Sequence, residues 1–262
     1  MTIVGTVESL WRYPVKSMRG EELDELFVGY AGVYGDRLFA FESSASPKGF
    51  PFFTGREQRH MILYRPRFRH PDKAAQPVNF AEAQKLSPNI NPLSANAADL
   101  MIDVETPDGS TFAIDDPELI EHLRVKDEKH ELTLLRSDKA ITDCRPVSIF
   151  SVQSATGLSE EIGIDVDKRR FRANIYLDLE SSEPFGEDKF VGKSLRIGSR
   201  TVVLVLGRDS RCMMITLDPE TAEKNPAILK QVAQAHEGMA GVYGAVLTEG
   251  VIRKGDPVEL LN

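Results

Sequence analysis

Cysteine is scarce in this chain, and the scarcity excludes several kinds of site. Two cysteines, Cys144 and Cys212, occur among 262 residues, which excludes a disulfide framework and a four-cysteine iron–sulfur site. Such a composition fits a reducing compartment, so we expect a cytoplasmic protein. The five histidines are scattered, which argues against a zinc cluster.

Long apolar runs and nucleotide-binding motifs are also missing. No stretch approaches the roughly 20 apolar residues that a membrane helix needs, and residues 1–5 do not open a signal peptide. There is no Walker loop, Gly-x-Gly-x-x-Gly, His-Glu-x-x-His or Gly-x-Ser-x-Gly motif. A net charge of −8 argues against a broad nucleic-acid surface. We therefore expect neither a membrane nor a nucleic acid as a partner.

Short strand-like segments dominate what is present. They are rich in Val, Ile, Leu and aromatic residues and lie between turn residues, at 2–11, 38–41, 61–64, 132–135, 147–150, 175–179, 195–197, 202–206, 213–217, 242–247 and 258–261. Helices are predicted over 117–123, 154–162 with Ser154 as cap, and 226–236 with Asn225 as cap and Pro226 at the first position. Residues 70–99 are rich in proline and indicate a loop or an insertion. The pattern predicts a mostly β, α+β protein built on barrels or barrel-like sandwiches.

The charged segment 125–131 lies between apolar segments and indicates a boundary. We predict two modules, 1–125 and 126–262.

Cys212 is the first candidate for chemistry. A strand ends in a turn that carries Arg208 and Arg211, and nearby cations lower the pKa of a thiol because they stabilise the thiolate. The thiolate is the form that binds metals and acts as a nucleophile. A buried structural cysteine fits the same segment equally well. For Cys144, which has an acidic and a basic neighbour, the structural interpretation is favoured.

Three basic segments are candidates for an anion site. Lys16 and Ser17 lie in a turn between Pro14 and Gly20 and offer an ammonium and a hydroxyl suited to a phosphate, although a solvated turn lysine is the alternative. Arg37 can hold an oxyanion or pair with Asp36. Residues 169–174 are predicted to open a strand, and alternation would place Arg170, Arg172 and Asn174 on one face; an exposed strand face is the alternative.

Together these segments resemble the MOSC family, whose domains are related to the C-terminal part of molybdenum cofactor sulfurase and which includes the mitochondrial amidoxime-reducing components. The resemblance is carried by Tyr13-Pro14-Val15-Lys16-Ser17, Gly35-Asp36-Arg37, Arg170-Phe171-Arg172-Ala173-Asn174, Ser210-Arg211-Cys212, Asp218-Pro219, Tyr243-Gly244 and Lys254-Gly255-Asp256-Pro257-Val258. It implies an N-terminal β-barrel module packed on a MOSC β-barrel domain. It also implies a Mo-molybdopterin cofactor with Cys212 as the protein's ligand to molybdenum.

The resemblance further implies which residues contact the pterin and its phosphate: Lys16, Ser17, Arg37, Ser151, Arg172 and Asn174, with Arg211 near the cofactor. Ser151 is placed from the segment 150–154, and Ser154 is a weaker candidate of the same kind.

The implied activity is an oxidoreductase that reduces small N-hydroxylated substrates. Because the chain has no ferredoxin-like module, electrons would come from a separate donor protein. Two alternatives stay open: a sulfur carrier with a persulfide on Cys212, and a cofactor-binding module without catalysis.

Overall fold

The computed structural model describes residues 2–47, 49–85, 97–124 and 131–261. Most of its elements are strands, which confirms the predicted mostly β class. They are β1 (Thr2–Arg12), β2 (Glu21–Leu23), β3 (Glu25–Gly29), β4 (Gly32–Val33), β5 (Phe39–Ser43), β6 (Phe52–Phe53), β7 (Arg65–Phe68), β8 (Ile102–Glu105), β9 (Thr111–Ala113), β10 (Leu132–Arg136), β11 (Val147–Ser151), β12 (Ile175–Leu179), β13 (Ser194–Ile197), β14 (Thr201–Ser210), β15 (Met239–Thr248), β16 (Gly250–Arg253) and β17 (Pro257–Leu261).

Helices are short in the described part of the chain. The α-helices are α1 (Phe80–Lys85), α2 (Pro117–Leu123), α3 (Val152–Ile162) and α4 (Pro226–Ala235). Short 3₁₀ helices cover Arg59–Leu63, Ala97–Leu100, Lys168–Phe171, Gly186–Phe190 and Met213–Thr216.

The chain divides into two compact units, and each collects separate stretches of sequence. The first unit combines Met1–Arg12, Gly20–Val33 and Thr142–Asn262, and the second combines Tyr13–Arg19 and Tyr34–Ile141. The predicted module boundary at 125/126 falls on residues 125–130, outside the described residues. The modules 1–125 and 126–262 therefore stay a prediction.

Seven strands of the first unit close into a barrel. Their order is β12-β11-β15-β14-β13-β17-β1, and the antiparallel pairing of β1 with β12 joins the two ends. β11 and β12 are parallel neighbours, and β2 extends the sheet beside β1. Alternating apolar residues fill the barrel, and the fully buried ones include Leu10, Ile149, Leu177, Val203 and Val242. A separate small sheet of the same unit has the order β16-β3-β4.

A second apolar cluster of this unit packs α3 and α4 together with two 3₁₀ helices. Its buried members include Phe150, Leu158, Phe171, Ile215 and Val232. The rings of Phe150 and Phe171 stack with centroids 4.2 Å apart. Both 3₁₀ helices, Lys168–Phe171 and Met213–Thr216, are thereby tied to this cluster.

The second unit holds two small antiparallel sheets, β10-β5-β6 and β7-β8-β9. α2 begins as predicted, because Asp116 accepts a hydrogen bond from the Glu118 amide and Pro117 takes the first helical position. The predicted loop 70–99 contains α1 and the start of Ala97–Leu100, while 86–96 lie outside the described residues.

Helix starts in the first unit follow local capping chemistry. α4 confirms its prediction, since Asn225 Oδ1 accepts from the Ala227 amide at 3.1 Å and Pro226 follows the cap. For α3 the predicted cap is wrong: the helix starts at Val152 and Ser151 is the cap, accepting from the Ser154 amide at 3.1 Å.

Two predicted strands and one predicted strand opening are wrong. The apolar runs 61–64 and 213–217 form the 3₁₀ helices Arg59–Leu63 and Met213–Thr216, since short apolar runs do not by themselves distinguish strand from helix. Residues 168–171, where a strand was predicted to open, also form a 3₁₀ helix, and β12 starts only at Ile175. Arg172 has a left-handed backbone, with φ of 53°. The expected alternation of Arg170, Arg172 and Asn174 along one strand face therefore does not occur.

Candidate functional site

Cys212 lies where β14 turns into the 3₁₀ helix Met213–Thr216. Both cysteines of the chain are described and both are free thiols; Cys144 is exposed and Cys212 is partly exposed. The carbonyl of Cys212 accepts from the Ile215 amide at 3.2 Å, while its side chain caps no amide of the turn. A partly exposed thiol at the end of a barrel strand differs from the buried structural cysteine that the sequence also allowed.

The two arginines that precede Cys212 each have carboxylate partners. Arg208 Nε lies 2.9 Å from Asp188 Oδ2, its Nη1 lies 2.5 Å from Glu237 Oε2, and its Nη2 donates to the His236 carbonyl at 3.0 Å. These contacts attach β14 to the residues that follow α4. The predicted stabilisation of a Cys212 thiolate by Arg208 and Arg211 stays a prediction.

Arg211 is more deeply buried, with 8% of its side chain exposed. Its Nε donates to the Ala240 carbonyl at 2.7 Å, and its Nη1 donates to the Phe171 carbonyl at 2.9 Å. Its Nη2 lies 2.7 Å from Asp209 Oδ2. One guanidinium thus joins β14, β15 and the 3₁₀ helix that ends at Phe171.

Asp209 is a site residue that sequence reasoning missed. The residue is 1% exposed, and its Oδ2 accepts from Ser148 Oγ at 3.1 Å. Burial raises the pKa of the Tyr243 phenol, and the negative charge of Asp209 raises it further. The register brings Ser148 opposite Tyr243 on neighbouring strands. A signal was present in the sequence, because Asp209 stands between two basic residues at the end of an apolar strand.

Arg170 and Arg172 have different environments although they are two residues apart. Arg170 is 7% exposed; its Nη1 donates to the Thr216 carbonyl at 3.0 Å, and its Nη2 lies 2.7 Å from Asp218 Oδ2. Arg170 therefore holds the turn that follows Cys212. Arg172, partly buried, follows the 3₁₀ helix and donates its amide to the Arg169 carbonyl at 3.1 Å.

Asn174 bridges barrel strands. Its Oδ1 accepts from the Ser148 amide at 3.3 Å, and its Nδ2 donates to the Trp11 carbonyl at 3.2 Å. At 1% exposure it is a buried amide whose polar groups face the neighbouring strands.

Ser151 and Ser154 share a carboxylate at the amino terminus of α3. Ser151 Oγ lies 2.6 Å from Glu187 Oε2, and Ser154 Oγ lies 2.8 Å from the same oxygen. The Ser151 amide donates to Glu187 Oε1 at 3.2 Å, and all three residues are fully buried. Glu187 thus takes the place of an anion at a helix amino terminus. Sequence reasoning missed Glu187, which is distant in sequence from both serines.

In the second unit, Lys16 is a buried cation. Lys16 is 6% exposed; its Nζ donates to the Ile141 carbonyl at 3.0 Å and lies 4.8 Å from the centre of the Phe52 ring and 5.6 Å from that of Phe50. Aromatic faces stabilise an ammonium group in this way. Ser17, also 6% exposed, has a left-handed backbone with φ of 66°.

Arg37 lies in the same unit and pairs with its neighbour. Its guanidinium pairs with the Asp36 carboxylate and lies 4.8 Å from the centre of the Tyr13 ring. Asp36 Oδ1 also accepts from the Tyr13 amide at 2.7 Å. The structure thus places Lys16, Ser17 and Arg37 in the second unit, and Ser151, Arg172, Asn174, Arg211 and Cys212 in the first.

Across 2–47, 49–85, 97–124 and 131–261, no group of three or more His, Cys, Asp or Glu side chains is placed to hold a metal ion. Within the same part of the chain, no helix has both the length and the apolar character needed to cross a membrane.

Known proteins similar to this chain include two mammalian ones. Mitochondrial amidoxime reducing component 2 of Bos taurus is 25% identical over 283 positions, covering 97% of this chain and 83% of the relative. Mitochondrial amidoxime-reducing component 1 of Mus musculus is 25% identical over 289 positions, covering 99% of this chain and 83% of the relative. Molybdenum cofactor sulfurase of Danio rerio is 35% identical over 89 positions, which are 32% of this chain and 10% of that protein.

Among solved structures, the YUAD protein from Bacillus subtilis aligns over 98% of this chain and 96% of its own, with a TM-score of 0.49 and 15% identity. Two family descriptions match the sequence directly. The MOSC N-terminal beta barrel domain matches residues 4–145, and the MOSC domain matches residues 136–259. The chain therefore belongs to the MOSC family, with both of its characteristic domains.

Proposed function

We propose that this protein binds a molybdenum cofactor through Cys212 and reduces N-hydroxylated small molecules with electrons from a separate donor protein. The observation that carries the proposal is that Cys212, a free and partly exposed cysteine, directly follows β14 in a MOSC domain. The names of the bovine and murine relatives, which match nearly the whole chain, support the amidoxime-reducing activity.

The residues of the first unit fit such a group by the chemistry of their donors. A thiolate is a soft ligand, and softness suits a thiophilic transition metal. Arg172 supplies a cation for the anionic part of the cofactor. Ser151, Asn174 and Arg211 already hold partners inside the protein. We therefore propose that these three residues position the backbone around the cofactor. That they also contact the cofactor directly stays a prediction.

When bound, a molybdenum cofactor supplies the redox chemistry, and the protein supplies binding and orientation. The role of the protein would then be to hold the metal through the sulfur of Cys212 and to fix the backbone on either side of that residue. The Arg170 contacts to the turn after Cys212 and the Arg211 contacts before it meet that need.

The test compares two cysteine variants purified from a host that makes the cofactor. Cys212→Ser should lower the molybdenum and pterin content per chain about tenfold or more, while the matched control Cys144→Ser retains both. With a chemical electron donor, wild-type protein should convert a hydroxylamine-type base to its amine, and Cys212→Ser should not. Equal molybdenum content in Cys212→Ser and wild-type protein would overturn the proposal.

Lys16, Ser17 and Arg37 are proposed contacts to the anionic end of the same cofactor and are tested separately. Lys16→Met keeps an apolar stem beside Phe52 but removes the ammonium group. Its expected effect is a loss of pterin content, whereas Lys189→Met, at an exposed lysine, should leave the content unchanged.

A sulfur carrier is the second candidate, and the similarity to molybdenum cofactor sulfurase over 89 positions favours it. The same partly exposed Cys212 would bear a persulfide. Mass spectrometry of the purified protein distinguishes the two, because a carrier would show added sulfur on Cys212 in preparations that contain no molybdopterin. Bound cofactor without turnover would instead indicate a storage module.

A further inference from the structure

A buried carboxylate lies close to Cys212 in sequence and contacts the side chains of Ser148 and Arg211. Asp209 is 1% exposed in β14. It accepts from Ser148 Oγ at 3.1 Å, and its Oδ2 lies 2.7 Å from Arg211 Nη2. A buried charge is costly, and apolar residues of similar volume often give equal or greater stability. The carboxylate therefore calls for a role beyond holding the barrel together.

That role follows from the other contacts of Arg211. Its guanidinium donates to the carbonyl of Phe171, the residue directly before Arg172, while Arg211 itself directly precedes Cys212. Its amide also donates to the Gly238 carbonyl at 2.8 Å. One guanidinium thus connects the two stretches of backbone that carry the predicted metal ligand and a predicted anion contact.

Space for this guanidinium is provided by a glycine. A Cβ at Gly241 would lie 3.0 Å from Arg211 Nη2 and 2.8 Å from the Ile149 carbonyl oxygen. Gly241 also has φ of +78°, which L side chains rarely adopt. Arg211 Nη2 therefore lies between this glycine and Asp209, where a larger residue at 241 would crowd it.

We propose that Asp209 is a positioning residue that orients the Arg211 guanidinium and thereby sets the placement of Cys212 relative to Arg172. This inference rests on the proposed function, because the placement of Cys212 matters only if Cys212 binds the metal. Whether Asp209 sets that placement can nevertheless be tested in cofactor-free protein. In this arrangement Asp209 does not contact the metal, and it acts through Arg211.

The first experiment uses the full chain purified from a host that does not make the cofactor. In a Cys144→Ser background, Cys212 is the sole thiol, and its rate of alkylation by N-ethylmaleimide reports how firmly it is held. Asp209→Asn should raise this rate about threefold or more, because loosening the tether increases local opening. The matched control is Glu259→Gln, which removes the carboxylate partner of Arg196 on two other barrel strands, β17 and β13, and should leave the rate near that of the parent.

A double-mutant cycle tests whether Asp209 acts through Arg211. Arg211→Gln alone should accelerate alkylation, and Asp209→Asn combined with Arg211→Gln should be no faster than Arg211→Gln by itself. Additive effects would overturn the proposal, as would a parent-like rate in folded Asp209→Asn. If Asp209→Asn does not fold, Ser148→Ala removes one donor to the same carboxylate and should give a smaller acceleration; no acceleration in that variant would overturn the proposal.

Cofactor content separates this inference from the proposed function. In a host that makes the cofactor, Asp209→Asn should retain less than about half of the molybdenum per chain, whereas Glu259→Gln should retain the parent's content. If Cys212→Ser keeps its molybdenum while Asp209→Asn alters alkylation, the proposed function fails and the positioning role stands. If Cys212→Ser loses molybdenum while Asp209→Asn behaves as the parent in both assays, the positioning role fails alone.

Discussion

The hydroxyl of Ser151 donates to Glu187 Oε2 at 2.6 Å, so the amino terminus of α3 is closed by a carboxylate of the protein itself. Ser151 also accepts from the Ser154 amide, which leaves its hydroxyl with partners on both sides. Ser151, at the junction of β11 and α3, therefore fixes the start of the helix. The arrangement also predicts that Glu187 matters for stability.

Glu187→Gln replaces one acceptor of the buried serine cluster by an amide donor. Because Glu187 is fully buried, we expect a loss of about 1–3 kcal/mol in the free energy of unfolding, measured by urea denaturation. The control is Glu183→Gln, at an exposed carboxylate paired with Lys189, which should change stability by less than about 0.5 kcal/mol. Equal effects of the two variants would show that the cluster contributes nothing special.

Arg170 and Arg172 should differ in what their loss affects. Arg170→Gln removes the buried partner of Asp218 and of the Thr216 carbonyl, so the free energy of unfolding should fall by about 2–4 kcal/mol. Arg172→Gln should instead lower cofactor content, because it removes the cation proposed for the anionic part of the cofactor. Urea unfolding of cofactor-free protein measures the stability loss in Arg170→Gln, and metal analysis of cofactor-loaded protein measures the cofactor loss in Arg172→Gln. The reverse pattern would restore Arg170 as an anion contact.

Gly241 and Gly238 form a matched pair for testing crowding beside Arg211. Both have left-handed backbones, with φ of +78° and +77°, but a Cβ at Gly238 would meet no atom within 4 Å. Gly238→Ala should therefore cost about 1 kcal/mol for backbone strain. Gly241→Ala should cost about 1–3 kcal/mol more, because the methyl group collides with the Ile149 carbonyl. Thermal or urea unfolding measures both, and equal losses would mean that the surroundings of Gly241 relax freely.

Asp218 should make stability depend on acid pH. Burial alone would raise the pKa of its carboxyl, but the Glu220 and Thr221 amides and the Arg170 guanidinium together hold that pKa below the usual 3.8. A carboxyl whose pKa is lowered by folding contributes stability above its unfolded pKa, and this contribution is lost as the pH falls through the folded pKa.

Asp218→Asn should therefore be about 1 kcal/mol less stable than wild type near neutral pH. The difference should shrink once the pH falls below 3.8. Urea unfolding at a series of pH values measures it. A difference that stayed constant down to about pH 2 would contradict the assignment of these contacts to the ionised carboxylate.

Local chemistry explains why parts of the fold were predictable. The cap at Asn225, the proline after it and the apolar positions of α4 all lie within one short segment, so the helix could be located from sequence. Most barrel strands were found for the same reason, since each is an apolar run between turn residues. The run 213–217 failed because four or five apolar residues fit a 3₁₀ turn against α4 as well as a strand.

Sequence reasoning proposed a candidate site only in outline. Cys212, Lys16 and Arg172 stood out because their residue types suit a thiophilic metal and an anion. Asp209 and Glu187 did not, because their importance lies in partners that are far away along the chain: Ser148 for the first and Ser151 for the second. Arg170 was assigned to an anion site, whereas its guanidinium holds the turn after Cys212.

By itself, the sequence determined the mostly β class, the helix starts that depend on adjacent residues, and the set of thiol, cationic and hydroxyl groups from which a cofactor site can be built. Tertiary structure alone decided which of those groups face partners within the protein. The Asp209–Arg211 ion pair, for example, is held by Ser148 of β11 and by the Phe171 carbonyl of a 3₁₀ helix, both distant along the chain. Propensity and capping act over a few residues, whereas the satisfaction of buried polar groups depends on chain segments brought together only by folding.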